Sequence, residues 1–102
     1  MAVKVSFMRP GHMGPIEIAI GQCRVCETIT VPGTTTNVAL DREIVVMVSN
    51  ETNVVVAAHG LTPDAAATVE TDQTTAGYGV PSGVHFPVAL KTGNKVNIKA
   101  FV

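Results

Sequence analysis

The sequence predicts an all-β fold, an antiparallel β-sandwich, jelly roll or small barrel in a single domain. Three observations predict it. β-Branched side chains dominate, with 17 Val, 12 Thr and 6 Ile against only 3 Leu. Such side chains are stiff at χ1 and suit a pleated surface better than a helix. Seven to nine short segments alternate between apolar and polar residues, with Gly, Pro and Asn between them, and no segment of useful length keeps a helical period. At 102 residues the chain forms one domain, long enough to bury roughly two-thirds of its unfolded surface.

The elements follow in order. Residues 2–8 place Val3, Val5 and Phe7 on one face and Lys4, Ser6 and Met8 on the other. Two Pro and two Gly between Arg9 and Pro15 predict an irregular loop over 8–15. Ile16, Ile18 and Ile20 then share a face, and Gly21 breaks the run. Residues 23–31 alternate again, with Cys23, Val25, Ile29 and Val31 on one face. Glu27 falls on that apolar side and marks a bulge or a strand edge. Pro32-Gly33 is a turn, and a shorter strand follows over 34–40.

Residues 43–49 are apolar on both faces, Ile44, Val46 and Val48 against Val45 and Met47, as in a central strand covered on two sides or meeting a partner. With 53–59 they predict a hairpin across Asn50-Glu51-Thr52. Residues 60–83 form a long loop, with one helical turn after Thr62-Pro63 and a short strand at 68–70. Val84, Phe86, Val88 and Leu90 alternate, and Pro87 makes that strand an edge or an irregular one. Thr92-Gly93-Asn94 predicts a last hairpin into 95–102, with Val96, Ile98 and Ala100 inward.

Composition narrows the function. Charged residues are 15%, net charge is −1 and no basic stripe exists to neutralise phosphates, so no nucleic-acid partner is expected. No stretch approaches the ~20 apolar residues of a spanning helix, and residues 1–7 alternate rather than forming a signal-peptide core, so no membrane partner is expected. With no Trp and one Tyr, an aromatic platform for carbohydrate is also unexpected.

Cys23-Arg24-Val25-Cys26 is the sharpest motif and makes these two thiols the candidates for metal or redox chemistry. Structural zinc needs four ligands, and no second pair exists. In a regular strand, residues three apart face opposite ways about 10 Å apart. The prediction is therefore Cys23 in the core and Cys26 on the other face, with only a bulge near Glu27 bringing them together. His12, His59 and His85 sit in no catalytic pattern, and Ser6, Ser49 and Ser82 lie in no nucleophile elbow. No enzyme activity and no cofactor are expected. Surface contacts remain, and Met8, Arg9, His12, Met13 and Tyr78 in the two loops are candidate interface residues.

One stretch is similar to a known group. Asp41-Arg42-Glu43-Ile44-Val45-Val46-Met47-Val48 leads through Asn53-Val54-Val55-Val56-Ala57-Ala58-His59-Gly60 to Thr62-Pro63-Asp64-Ala65-Ala66. Gly83-Val84-His85-Phe86-Pro87-Val88-Ala89-Leu90 and Lys91-Thr92-Gly93-Asn94-Lys95-Val96 close it. Over residues 41–102 this resembles small all-β virion proteins of tailed bacteriophages, of the head decoration or cement type. The resemblance implies a structural protein on the capsid exterior, made in the host cytoplasm, that braces the major capsid protein as a homodimer or homotrimer. Val45, Met47 and Val55 are the expected second apolar face. A tail, neck or fibre module that binds a host surface is the alternative, and a small metal or redox protein using Cys23 and Cys26 is the second.

Overall fold

Strict alternation at Ala2–Met8 (β1) gives a strand whose Val3, Val5 and Phe7 are fully buried and whose Lys4 is exposed. A computed structural model of the chain describes residues 2–9, 11–13, 16–18, 23–69 and 76–101, with the backbone alone at 11–13 and 16–18. The other described strands are Gly11–Met13 (β2), Ile16–Ile18 (β3), Cys23–Thr30 (β4), Gly33–Thr34 (β5) and Ile44–Ser49 (β6). Val55–Gly60 (β7), Tyr78–Val80 (β8), Phe86–Ala89 (β9) and Lys95–Ala100 (β10) complete them. The described residues contain no helix.

Two four-stranded sheets result, β4-β1-β6-β9 and β5-β10-β7-β8, and every strand pair is antiparallel. The strands from β4 onward fall in the first, second, first, second, second, first and second sheet. With β1 as the eighth, seated between β4 and β6, this is the order of an eight-stranded jelly roll whose last place is filled from the N-terminal end. The two ends agree with that reading. Ala2 exchanges hydrogen bonds with Asn50, and Ala100 pairs with Val55, so β1 begins and β10 ends beside the same 50–54 connection.

The sheets close on one core. Phe7, Ile29, Val45 and Met47 come from the first sheet, and Val55, Ala57, Val96 and Ile98 from the second. The gap between the edges at β8 and β9 is shut by rings. Tyr78 stacks on Phe86 at 5.9 Å between centroids and 16° between planes, and His59 meets Tyr78 edge-on.

Several expectations need correction. The 43–49 and 53–59 segments do not pair with each other, because β6 pairs with β1 and β9 while β7 pairs with β10 and β8. The 50–54 connection is therefore an arch between sheets. Residues 90–94 form a second arch, from β9 to β10, turned by Gly93 at φ 88°. Of the 34–40 segment only Thr34 is strand, as the second residue of β5, since the chain there leaves the sheet and crosses back to β6. Residues 11–13 and 16–18 pair, with His12 opposite Glu17, because neither short segment contains a proline. Pro10, Gly14, Pro15, Ile20 and Gly21 lie outside the described residues. After Gly60 the chain makes a turn at Asp64–Ala67 rather than a helix, and 68–69 are bent rather than extended. Residues 70–75 are outside the description.

Pro87 does lie on an edge strand, β9, where its missing N–H leaves no ladder bond unmade. Parity on β6 differs from the expectation that Val45 and Met47 form an outward face. Both are fully buried between the sheets, because β6 pairs Val45 with Phe7 and Met47 with Val5, and Val55 is likewise in the core. Met47→Ala is expected to cost about 2–5 kcal/mol of stability. Val48→Thr, on the opposite parity, should stay within about 0.5 kcal/mol. Urea unfolding midpoints of the two variants check the assignment.

Candidate interaction surface

β4 carries a bulge. Cys23 opposes Met8 and Val25 opposes Phe7, so Arg24 is the extra residue. The bulge has two consequences. It moves Cys23 to the face shared by Met8 and Ser6, where Cys26, opposite Ser6, already lies. The prediction of Cys23 in the core is thus overturned: both cysteines are exposed, free and on one face, and the irregularity sits at Arg24 rather than near Glu27. Among the described residues no cluster of three or more His, Cys, Asp or Glu surrounds them.

The second consequence is the new aim of Arg24. Its Nε donates to Glu43 Oε2 at 2.6 Å, and its Nη2 donates to Glu43 Oε1 at 2.9 Å and to the Val38 carbonyl at 2.9 Å. The guanidinium carbon lies 5.8 Å from the Phe7 ring centroid. Glu43 is 1% exposed and also accepts the Leu40 N–H at 2.8 Å. The hydrogen bonds from Arg24 hold its carboxyl below the usual range against burial, with help from the Leu40 N–H and the charges of Arg24 and Arg9.

Glu27 performs a parallel task. Burial alone would raise its pKa, but the N–H and hydroxyl of Thr36 and the N–H and amide of Asn37 donate to it and lower it. The residue that broke the apolar pattern thus marks a sheet edge and clamps the connection beside it.

The outer faces of the two sheets differ. Over the second sheet the chain folds back on itself. Asn97 accepts the Ala65 N–H at 2.8 Å and donates to the Gly33 carbonyl and the Thr34 hydroxyl. Lys99 pairs with Asp64 at 2.8 Å, and Gly77 donates to the Ala67 carbonyl. A Cβ at Gly77 would overlap the Ala65 carbonyl, so only glycine lets the two stretches approach this closely. The first sheet has no such cover among the described residues. Its outer face holds a groove of about 220 Å³ lined by Lys4, Ser6, Met8, Val46, Val48 and His85. Cys23 and Cys26 occupy the same face along β4.

The expected contact residues therefore divide. Met8 lines the groove, and Arg9 is exposed nearby, where its charge reaches Glu43. His12 and Met13 lie on β2, and their side chains are outside the description. Tyr78 is a partly buried closing residue rather than a surface contact, its hydroxyl 3.0 Å from His59 Nδ1. Val46, Val48 and His85 went unseen as a group. The opposition of Val46 to Ser6 and of Val48 to Lys4 depends on the β1–β6 pairing, which joins segments some 40 residues apart in sequence. No protein-family model matches the chain, and neither a curated protein nor a solved structure is found to match it.

Three predictions follow from these geometries. Glu27 and Glu43 titrate below the ordinary carboxylate value of 4.5 when folded. The stability they carry is complete above that value and is lost as pH falls through the lowered folded values. Urea midpoints should therefore fall as the medium is acidified past 4.5. Arg24→Met should lower the neutral-pH midpoint more than Arg24→Met with Glu43→Gln, because the single change leaves a buried charge unpaired.

Burial pushes Tyr78 up to about 12 from 10. It is the only tyrosine, so ultraviolet titration of tyrosinate reads it directly. Its folded pKa is raised, so stability is complete below pH 10 and declines as pH rises towards the folded value. Unfolding in strong denaturant should return the titration midpoint to the ordinary value.

Proposed function

We propose that the chain is a structural virion protein, a head decoration or cement protein of a tailed bacteriophage. It binds the assembled shell from outside and braces neighbouring copies of the major capsid protein. The observation that carries this reading is the groove on the outer face of the β4-β1-β6-β9 sheet, where half-buried Met8 and Val48 stand beside buried Val46, while the outer face of the opposite sheet is covered by its own chain. Similarity of residues 41–102 to small all-β virion proteins supports it from the sequence side.

The mechanism is non-covalent. A module that binds only the assembled lattice shifts the equilibrium towards that lattice by mass action. Arg24–Glu43 and Glu27 secure the connection beside this sheet, so its ordering is already complete before contact and less entropy is lost on binding. Localisation on the capsid exterior and a dimeric or trimeric state belong to the same proposal.

The test is co-sedimentation of the purified protein with expanded, empty heads. Stoichiometric pelleting, abolished by Val48→Lys in a variant that keeps its β-type circular dichroism, is the expected result. Absence of pelleting overturns the reading. Binding to host cells in its place would mark a tail, neck or fibre module, and zinc that co-purifies and is lost with both thiols would mark the metal reading.

A further inference from the structure

The bulge at Arg24 does more than aim a guanidinium. In a regular strand Cys23 and Cys26 would face opposite ways about 10 Å apart. The extra residue puts both on the outer face of the first sheet, with Cys23 opposite Met8 and Cys26 opposite Ser6. Met8 and Ser6 stand two residues apart on β1, so the two cysteines are anchored about 7 Å apart. Both are exposed and free. The Cys23 thiol donates to the Val25 carbonyl at 3.7 Å. That oxygen belongs to the peptide that leads into Cys26, so the Cys23 sulfur is turned along the strand towards the second thiol. Met8 brings a third sulfur. Directly opposed residues of an antiparallel pair hold their Cβ atoms about 5 Å apart. The unbranched thioether chain of half-buried Met8 is flexible enough to follow an ion bound beside it.

The spacing decides what three such sulfurs can do. Cysteines anchored about 7 Å apart are joined in a disulfide only with backbone movement. A metal spans the gap that a disulfide does not. A metal–thiolate bond is about 2.3 Å long, so two sulfurs sharing an ion lie within about 5 Å of each other. Rotation about χ1 brings two thiols that close from this spacing. The donor set then selects the metal. Structural zinc takes four ligands, and among the described residues no third His, Cys, Asp or Glu joins the thiols. Calcium and magnesium take oxygen ligands. Thiolate with thioether is a soft donor set that favours monovalent copper, an ion content with fewer ligands than zinc. Exposure of both thiols lets the ion enter without any unfolding.

We infer that Cys23, Cys26 and Met8 form a three-sulfur site for monovalent copper. Each thiol gives its proton to solvent as its sulfur binds the ion, and the Met8 thioether binds as a neutral ligand. The site lies beside the groove that Ser6 and Met8 also line, and it does not depend on what that groove binds.

Competition with bicinchoninate for monovalent copper, in the absence of oxygen and with the thiols reduced, tests it on the folded protein. The chain should withdraw one copper from the indicator, with an affinity that rises with pH because binding releases protons. Cys23→Ser and Cys26→Ser should each lower the affinity by about a hundredfold or more, and Met8→Leu by about tenfold. Failure to withdraw copper overturns the inference. So does unchanged affinity in any of the three variants, one copper shared by two chains, or zinc held at the same thiols as tightly as copper. Should a cysteine variant fail to fold, carboxymethylation of both thiols on the natural chain decides, with β-type circular dichroism as the check on its fold. Loss of copper binding supports the site, and retained binding overturns it.

Discussion

The contact between Arg24 and Glu43 is the constraint on which the arrangement of the first sheet depends. Glu43 sits at the entry to β6 with almost no exposure, and a carboxylate there is tolerable only if its charge is matched. Matching requires a long cation from the neighbouring edge strand. A regular β4 would send Arg24 outward with its neighbours on that parity. The bulge supplies the reversal: one extra residue lets Arg24 reach inward past Phe7 and hands the outward position to Cys23. Position of the thiols, closure of the 38–43 connection and the start of β6 are therefore one event. Glu27, two register steps along, secures the same connection at 36–37, so the connection is held at two points by side chains of a single edge strand.

That economy matters because the sandwich is made of small side chains. Val and Ala supply most of its core, and Phe7 and Met47 are its largest fully buried members. Each small side chain buries little apolar area, so more of the structure's uniqueness falls to polar pairing between strands and connections. The second sheet shows the same device. Asn97 lies on the outward side of β10, yet it is buried because the 61–67 stretch is laid over it and satisfied by its amide. With Asp64 on Lys99 and the close approach at Gly77, one long connection becomes a lid over the sheet to which it is attached. Among the described residues no connection is tied over the first sheet in this way, and the difference between the two layers is written in which connections have polar groups at the right spacing.

Much of the strand inventory was legible in the sequence, because alternation in β1 or β10 is a local property. The edge position of β9 was legible from Pro87, and the edge position of β4 from Glu27. Pairing was not legible, and both predicted hairpins show why. Asn50-Glu51-Thr52 and Thr92-Gly93-Asn94 carry ordinary turn residues, and a turn that reverses a strand within a sheet uses the same residue types as an arch that moves to another layer. The choice is made by which distant strand competes for the pairing, as β1 does for β6. Parity on β6 failed for a related reason. A strand apolar on both faces does not say which face is inner until its neighbour is known, and Val5 and Phe7 settle it for Met47 and Val45. A bulge in this strand was legible only as one of two readings of Glu27, and its true place at Arg24 was not, since Cys23 to Cys26 alternates well enough without it.

Bracing makes a demand that simple adhesion does not. A protein with one contact surface coats its target, and only a protein with two separate contacts joins one neighbour to the next. The groove on the first sheet and a pocket at the 50–54 arch share no lining residue. They also differ in chemistry. The groove, about 220 Å³, sets Lys4, Ser6 and His85 beside Met8, Val46 and Val48, so it offers basic and polar groups along with apolar area. The pocket, about 420 Å³, joins the apolar Val31, Val54, Val55 and Phe101 to the polar Thr30, Asn53 and Glu51. The bracing we propose needs two such contacts, and these two concavities, on different elements of the fold, meet that need without sharing a residue.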